Sequence, residues 1–159
     1  MKTADAVNVL RSLENAGKTL STAESCTGGW VGKLLTDIPG SSKTFFGGVV
    51  SYTNGVKHNL LGVPEEILNT YGAVSKQTAT AMATGVRTVI GTDVGAAVTG
   101  LAGPDGDGSG RPVGLVYIAV STECETVCRE LFLTGDRLDV RENACRELFA
   151  LILQTLEVG

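Results

Sequence analysis

Ser25 is the first candidate for chemistry, because it lies between a predicted short strand and a predicted helix in the segment Glu24-Ser25-Cys26-Thr27-Gly28-Gly29. A turn of this kind raises a side chain above the sheet edge at which α/β proteins bind ligands. The N–H groups of Gly28 and Gly29 would lie at the helix N-terminus, where such groups hold an oxyanion or a phosphate. The alternative is that Ser25 or Thr27 only caps the helix.

Lys57 is a candidate base in the segment Tyr52-Thr53-Asn54-Gly55-Val56-Lys57. We predict that Asn54 caps a short helix, which puts Lys57 in its first turn. The helix dipole disfavours an ammonium group there and lowers the lysine pKa, and burial would lower it further. A neutral lysine can take the proton of a serine hydroxyl. The alternative is a solvated lysine on the surface.

A glycine-rich loop begins at Thr99 and runs through Gly103 to Gly106, directly after a predicted buried strand. So much glycine lets the backbone approach a ligand closely, which makes Thr99 and Gly103 candidate substrate contacts. The alternative is a mobile loop that binds nothing. Asp105 and Asp107 suggest a calcium loop, but the spacing and the closing glutamate of an EF-hand are missing, so no metal is predicted.

Arg137 and Arg141 are four residues apart at the start of the last predicted helix, hence on one face of it. Cations in the first turns of a helix oppose its dipole unless an anion is present. Two guanidinium groups would form a strong phosphate clamp. The alternative is that they form salt bridges with Asp139 or Glu142.

Composition limits the classes of function. The chain has 159 residues, the size of one ordinary domain, and 43% of them are hydrophobic, which is enough for a core. Its net charge of −4 argues against a nucleic-acid partner. No apolar run reaches the ~18 residues of a membrane span. The first residues do not lead into the hydrophobic stretch of a signal peptide, so the cytoplasm is the expected compartment.

The hydrophobic pattern predicts an α/β domain. A first helix capped by Thr3 is followed by alternating strands and helices, and the last helix is capped by Asp136. Five strands are predicted, at residues 19–23, 44–52, 94–99, 113–121 and 126–134. The last two are expected to form a hairpin, which gives a mixed sheet of about five strands with one antiparallel strand and helices on both faces.

Several segments together resemble one known family, the CinA C-terminal domain family of nicotinamide-nucleotide amidohydrolases. The resemblance extends over nearly the whole chain. The matching segments are Thr22 to Gly29, Ser51-Tyr52-Thr53-Asn54 with Lys57, Leu61-Gly62-Val63, Gly72 to Ser75, Thr99 to Gly106, Pro112-Val113-Gly114, and Gly135-Asp136-Arg137 with Arg141.

The resemblance implies a three-layer α/β/α fold, with residues 1–159 as a single amidohydrolase domain. It also implies hydrolysis of the carboxamide of nicotinamide mononucleotide to nicotinate mononucleotide and ammonia, without a metal or cofactor. In that scheme Ser25 is the nucleophile and Lys57 its base, while Tyr52, Thr99 and Arg141 complete the site. Family members often carry a longer acidic residue where this chain has Gly55.

The expected partners are a small-molecule nucleotide and further copies of the chain, which would make it a homo-oligomer; neither nucleic acid nor a membrane is expected. A second class of function also fits the resemblance. It is a non-catalytic nucleotide-binding module, connected with competence or DNA damage, which would bind nucleotide without releasing ammonia.

Overall fold

The strands and helices alternate along the chain. A computed structural model of the protein describes residues 4–159, so the predicted cap at Thr3 lies outside the described residues. In chain order the elements are α1 (Ala4–Ala16), β1 (Leu20–Glu24), α2 (Trp30–Thr36), a 3₁₀ turn (Ser41–Lys43), β2 (Phe45–Val50), α3 (Asn54–Leu61), α4 (Glu65–Tyr71), α5 (Lys76–Ile90), β3 (Val94–Gly100), β4 (Leu115–Ser121), β5 (Thr126–Phe132) and α6 (Arg137–Val158).

The five strands form one mixed sheet in the order β2-β1-β3-β4-β5. Strands β2, β1 and β3 run parallel to one another. Strand β4 is antiparallel to both of its neighbours, β3 and β5, so it alone runs against the other four. The predicted five-stranded mixed sheet, its single antiparallel strand and the hairpin of β4 and β5 are confirmed.

Helices cover both faces of the sheet and give three layers. Helices α1, α2 and α6 pack on one face, and α3, α4 and α5 pack on the other. Alternate residues of a strand point to opposite faces, so Val98 enters the first layer of core and Ala97 the second. Burial on both faces is the reason that β3 reads as a nearly continuous run of small apolar residues.

Several predicted boundaries need correction: β2 ends at Val50 and not at residue 52, and β5 ends at Phe132 and not at residue 134. The helix α3 is capped by Thr53, whose side chain accepts a hydrogen bond from the N–H of Val56, and Asn54 is its first residue. Lys57 therefore begins the second turn and does not lie in the first. Strand β4 begins at Leu115 and not at residue 113, because Gly114 turns the backbone with a φ of 94° and packs against the Leu133 carbonyl.

The sheet brings several of the candidate residues to one edge. Parallel strands end at the same side of a sheet, so the residues that follow β1, β2 and β3 meet at its carboxyl edge. Ser25 follows β1, Ser51 follows β2, and Thr99 lies at the end of β3. None of the helices that residues 4–159 form combines the length and the apolar character needed to cross a bilayer.

Candidate active site

Ser25 and Lys57 are in hydrogen-bond contact. Ser25 is the first residue after β1 and is buried, and its N–H donates to the carbonyl of Val98 on β3 at 3.0 Å. The Nζ of Lys57 donates to the Oγ of Ser25 at 3.0 Å, across 32 residues of sequence. A potential nucleophile and a potential base therefore lie at the distance that proton transfer requires.

Lys57 is one of the most deeply buried side chains of the protein, with 1% of its surface exposed. Its Nζ also donates to the carbonyls of Ser51 at 2.7 Å and Tyr52 at 3.4 Å. Within residues 4–159 no carboxylate forms an ion pair with it. Burial lowers the pKa of Lys57 to about 8. The predicted lowering of the pKa is confirmed, burial is its main cause, and the interpretation as a solvated lysine is wrong.

Glu24, the last residue of β1, has a buried carboxylate with three hydrogen-bond donors around it. One oxygen accepts from the hydroxyl of Thr27 at 2.6 Å and from the N–H of Val31 at 2.8 Å, and the other accepts from the N–H of Gly32 at 3.0 Å. Sequence reasoning assigned Glu24 no role. The available signal was a carboxylate directly before the candidate nucleophile, with a threonine three residues later.

Gly28 and Gly29 form the turn into α2, both in the left-handed region with φ values of 60° and 99°. The N–H of Gly28 donates to the carbonyl of Ser25 at 3.1 Å and closes the turn. Both glycines line a depression beside the site, together with Trp30, and are not part of the cleft that contains Lys57. Their assignment as oxyanion donors stays a prediction, in which the Gly28 N–H must compete with an acceptor of its own chain.

A cleft of about 280 Å³ opens at the carboxyl edge of the sheet, near the lower limit of the ~300–1,000 Å³ that small-molecule sites occupy. It brings together most of the residues that the sequence singled out. They are Ser25, Tyr52, Lys57, Thr99, Gly103, Asp105, Asp107 and Arg137.

The Tyr52 hydroxyl lies at the open side of this cleft. It accepts a hydrogen bond from Arg137 Nη2 at 3.4 Å, and Arg137 Nη1 donates to the Gly103 carbonyl at 2.6 Å. A phenol that accepts from a guanidinium keeps its own proton for another acceptor. Thr99 is buried and its hydroxyl donates to the Ala73 carbonyl at 2.8 Å, so this hydroxyl fixes the cleft wall.

Arg141 points away from the cleft. Its Nε donates to the Cys26 carbonyl at 3.0 Å and its Nη2 to the Thr27 carbonyl at 3.1 Å. The guanidinium lies 5.3 Å from the centre of the Trp30 ring, in cation–π contact. Asp139, one of the predicted salt-bridge partners, instead accepts from the Asp136 N–H in a capping box. The structure thus places only Arg137 in the cleft and uses Arg141 to hold the turn.

Residues 4–159 offer no cluster suited to a metal. Within the described part of the chain, no three His, Cys, Asp or Glu side chains come close enough to hold an ion. Cys26 lines the cleft, but burial raises its pKa to about 12, so it is a thiol and not a thiolate at neutral pH. The groups that line the cleft include the Ser25 hydroxyl, the Lys57 amine, the Arg137 guanidinium and the carboxylates of Asp105 and Asp107.

Comparison with known proteins gives a consistent result. The sequence model of the CinA C-terminal domain matches residues 2–156. A protein of Desulforudis audaxviator named as competence-damage inducible is 57% identical over 125 residues, which cover 79% of this chain and 30% of that protein. A CinA-like protein of Syntrophotalea carbinolica is 49% identical over 142 residues, which cover 89% of this chain and 34% of that one. The chain thus spans about a third of the length of these curated relatives.

Solved structures agree with the sequence match. The crystal structure of a CinA superfamily protein from Klebsiella pneumoniae has a TM-score of 0.97 and is 32% identical, with 100% of both chains covered. A competence/damage inducible protein from Agrobacterium tumefaciens has a TM-score of 0.91 and is 38% identical, over 98% of this chain and 94% of that one.

Proposed function

This chain belongs to the CinA C-terminal domain family, and from that premise we propose that it hydrolyses the carboxamide of nicotinamide mononucleotide to nicotinate mononucleotide and ammonia. The observation that carries the proposal is the 3.0 Å contact between Lys57 Nζ and Ser25 Oγ inside a cleft. An aromatic carboxamide is a poor electrophile, so its hydrolysis needs an activated nucleophile. A buried lysine with a pKa of about 8 can activate the serine at physiological pH.

The pair performs both halves of the reaction. Neutral Lys57 takes the proton of Ser25 as Oγ forms a bond to the amide carbon and the carbonyl electron pair moves to oxygen. The Lys57 ammonium then gives this proton to the departing nitrogen, the C–N bond breaks, and ammonia leaves an ester on Ser25. Lys57 then takes a proton from water as the water oxygen bonds to the ester carbon, and it returns this proton to Ser25 Oγ as the carbon–Oγ bond breaks and nicotinate mononucleotide leaves.

Tyr52 is our candidate for stabilising the charge that develops on the amide oxygen. Its hydroxyl accepts from Arg137 at 3.4 Å, which leaves the phenol proton for a substrate in the same cleft. A donor placed where negative charge develops typically contributes about 10²–10³ in rate. Tyr52 thereby supplies a function that the occupied N–H of Gly28 is poorly placed to supply.

The charges along the cleft fit a mononucleotide whose two ends differ in charge. Arg137 lines the cleft with a charge that it keeps at every physiological pH, and it is our candidate for the phosphate. Asp105 and Asp107 line the same cleft, and the pyridinium ring of the substrate is positively charged. The assignment of the phosphate to Arg137 narrows the predicted two-arginine clamp, because Arg141 donates to carbonyls of the turn.

The direct test is to incubate the purified protein with nicotinamide mononucleotide and measure ammonia and nicotinate mononucleotide. Ser25→Ala and Lys57→Ala should remove most turnover. Lys43→Ala is a matched control, because Lys43 is exposed and pairs with Glu14 away from the cleft. Binding of the nucleotide without ammonia release would favour the non-catalytic module instead. Wild-type turnover in Lys57→Ala would rule out the serine–lysine scheme.

We propose that the domain of residues 1–159 acts in the cytoplasm on a small-molecule nucleotide, as a homo-oligomer. Sedimentation of the purified chain tests the oligomeric state.

A further inference from the structure

The buried carboxylate of Glu24 holds the turn that contains Ser25. Its side chain is 3% exposed, and each of its two oxygens has at least one donor. The Thr27 hydroxyl that donates to it is fully buried, and the N–H groups of Val31 and Gly32 belong to the first turn of α2. One carboxylate therefore fastens both the middle of the turn and the helix that follows it.

The main chain of Glu24 connects the same turn to the base. Its carbonyl accepts from the Ser51 N–H at 2.7 Å and from the Ser51 hydroxyl at 3.2 Å. The carbonyl of Ser51 in turn accepts from Lys57 Nζ at 2.7 Å. Hydrogen bonds through Ser51 thus connect the main chain of Glu24 to the amine of Lys57.

The turn also has backbone hydrogen bonds of its own, from the Ser25 N–H to the Val98 carbonyl and from the Gly28 N–H to the Ser25 carbonyl. Gly28 and Gly29 are both left-handed, and glycine gives up more conformational freedom on ordering than other residues. On the opposite side, Arg141 holds the carbonyls of Cys26 and Thr27. A shift of about 1 Å in a reacting group can cost about 10² in rate, so the contacts below the turn bear directly on Ser25.

We propose that Glu24 is a positioning residue for the nucleophile: its carboxylate fixes the Ser25 turn at the distance from Lys57 that proton transfer needs. The inference rests on the proposed function, since it assumes that Ser25 is the attacking group. Glu24 touches neither the substrate nor the reacting atoms. It acts through the three donors of the turn and of α2.

The experiment compares a graded series with a control from the same strand. Glu24→Gln keeps the size and one carbonyl oxygen but turns an amide N–H toward the Gly32 N–H, and Glu24→Ala removes all three contacts. Ser21→Ala is the control, because Ser21 is fully buried on β1 and hydrogen-bonded to Val86 and Thr92 away from the turn. For each variant kcat, KM, the pH midpoint and the melting temperature are measured on the full chain.

We expect kcat to fall by about 10- to 100-fold in Glu24→Gln and further in Glu24→Ala. KM should stay within threefold and the pH midpoint should be unchanged, because Lys57 keeps its surroundings. Ser21→Ala should lower the melting temperature about as much as the Glu24 variants do, and it should leave kcat unchanged. A Glu24→Gln enzyme with the kcat of Ser21→Ala would overturn the proposal, and so would a displaced pH midpoint, which would mean that Glu24 acts on the base.

A second readout separates this inference from the proposed reaction. A fluorophosphonate probe reacts with activated serines, and Ser25→Ala gives the blank. Labelling that is at least tenfold slower in Glu24→Gln supports the positioning role even if no ammonia is released from the nucleotide. Equal labelling rates overturn it. A wild-type Ser25 that neither hydrolyses the amide nor reacts with the probe overturns both proposals.

Discussion

Arg137 and Arg141 lie one turn apart on α6, yet their guanidinium groups diverge. Arg137 donates to the Gly103 carbonyl and to the Tyr52 hydroxyl inside the cleft. Arg141 donates to the carbonyls of Cys26 and Thr27 on the far side of the turn. Two identical side chains on one helix face therefore have different surroundings: Arg137 lines the cleft and Arg141 holds the turn.

This divergence predicts different substrate dependence for the two arginines. Loss of a charge-assisted contact to phosphate costs roughly 1.5–3 kcal/mol, which at ~1.4 kcal/mol per tenfold lowers kcat/KM by about ten- to a hundredfold. Arg137→Ala should show this loss on nicotinamide mononucleotide in addition to any loss on the riboside, which has no phosphate and reports only the contacts of Arg137 with Tyr52 and Gly103. Arg141→Ala should be impaired to the same degree on both substrates, since it loosens the Ser25 turn.

Steady-state rates on the mononucleotide and on the riboside distinguish the two arginines. A loss in Arg141→Ala that is confined to the mononucleotide would restore the two-arginine clamp.

The pH dependence of kcat/KM should report Lys57. The base must be neutral in order to accept the serine proton, and its pKa is about 8. Below that pH the neutral fraction falls tenfold per unit, so kcat/KM should rise about tenfold between pH 7 and pH 9.5 and then level off. Initial rates in buffers of constant ionic strength give the profile. A flat profile over this range would mean that Lys57 does not act as the base.

Stability should also depend on pH through Lys57. The unfolded chain holds the lysine proton up to about pH 10.5, whereas the folded chain releases it at about 8. The unfolded state therefore binds more protons between these values, so stability rises with pH across the window and the cost of burying the amine is fully present below it. At 1.36 kcal/mol per unit, the wild type should gain about 2–3 kcal/mol between pH 7 and pH 10 relative to Lys57→Met.

Urea unfolding of both proteins at the two pH values measures the difference, and other titrating groups cancel because the two proteins share them. A difference between the proteins that is the same at pH 7 and pH 10 would contradict the lowered pKa.

Helix α3, which carries Lys57, depends on a close contact with α5. A Cβ added to Gly85 of α5 would lie well inside contact distance of the Leu61 carbonyl at the end of α3. Overpacking of this kind costs about 1–3 kcal/mol, so Gly85→Ala should destabilise the fold and lower kcat by moving α3. Gly55→Ala is the matched control on α3 itself, where the added methyl group meets open space. It should raise stability by up to about 1 kcal/mol and keep kcat.

Urea unfolding and kcat are measured for both glycine variants. Unchanged kcat in Gly85→Ala would show that α3 tolerates the displacement.

The sheet could be predicted well because its signals are local. Strand β3 shows burial on both faces as a run of small apolar residues, and the β4–β5 hairpin shows two alternating runs around a polar gap. The end of β2 was less defined, since it is an edge strand whose residues alternate between half-buried and exposed. The cap of α3 was predicted at Asn54, one residue after the actual cap Thr53. Threonine and asparagine are both good caps, and only the backbone conformation selects between them.

The site was predictable as a set of residues but not as an arrangement. The segments that contain Ser25 and Lys57 could be recognised, and both side chains lie in the cleft. The burial of Lys57 and the direction of Arg141 depend on how α3 and α6 pack against the sheet, which no local pattern specifies. Glu24 went unassigned for a similar reason, because its three donors come from residues that only the folded turn brings beneath it.

The position of β2 at the edge of the sheet has a consequence for the contact between Ser25 and Lys57. Strand β2 pairs with β1 alone, and the chain continues from it through Ser51 into the helix that carries Lys57. Edge elements open in local fluctuations that cost far less than global unfolding. Such an opening would separate the Lys57 amine from the Ser25 hydroxyl while the central strands stay paired. We therefore expect the contact between Ser25 and Lys57 to be lost early, so conditions that loosen this edge should lower the proposed activity well before the protein unfolds.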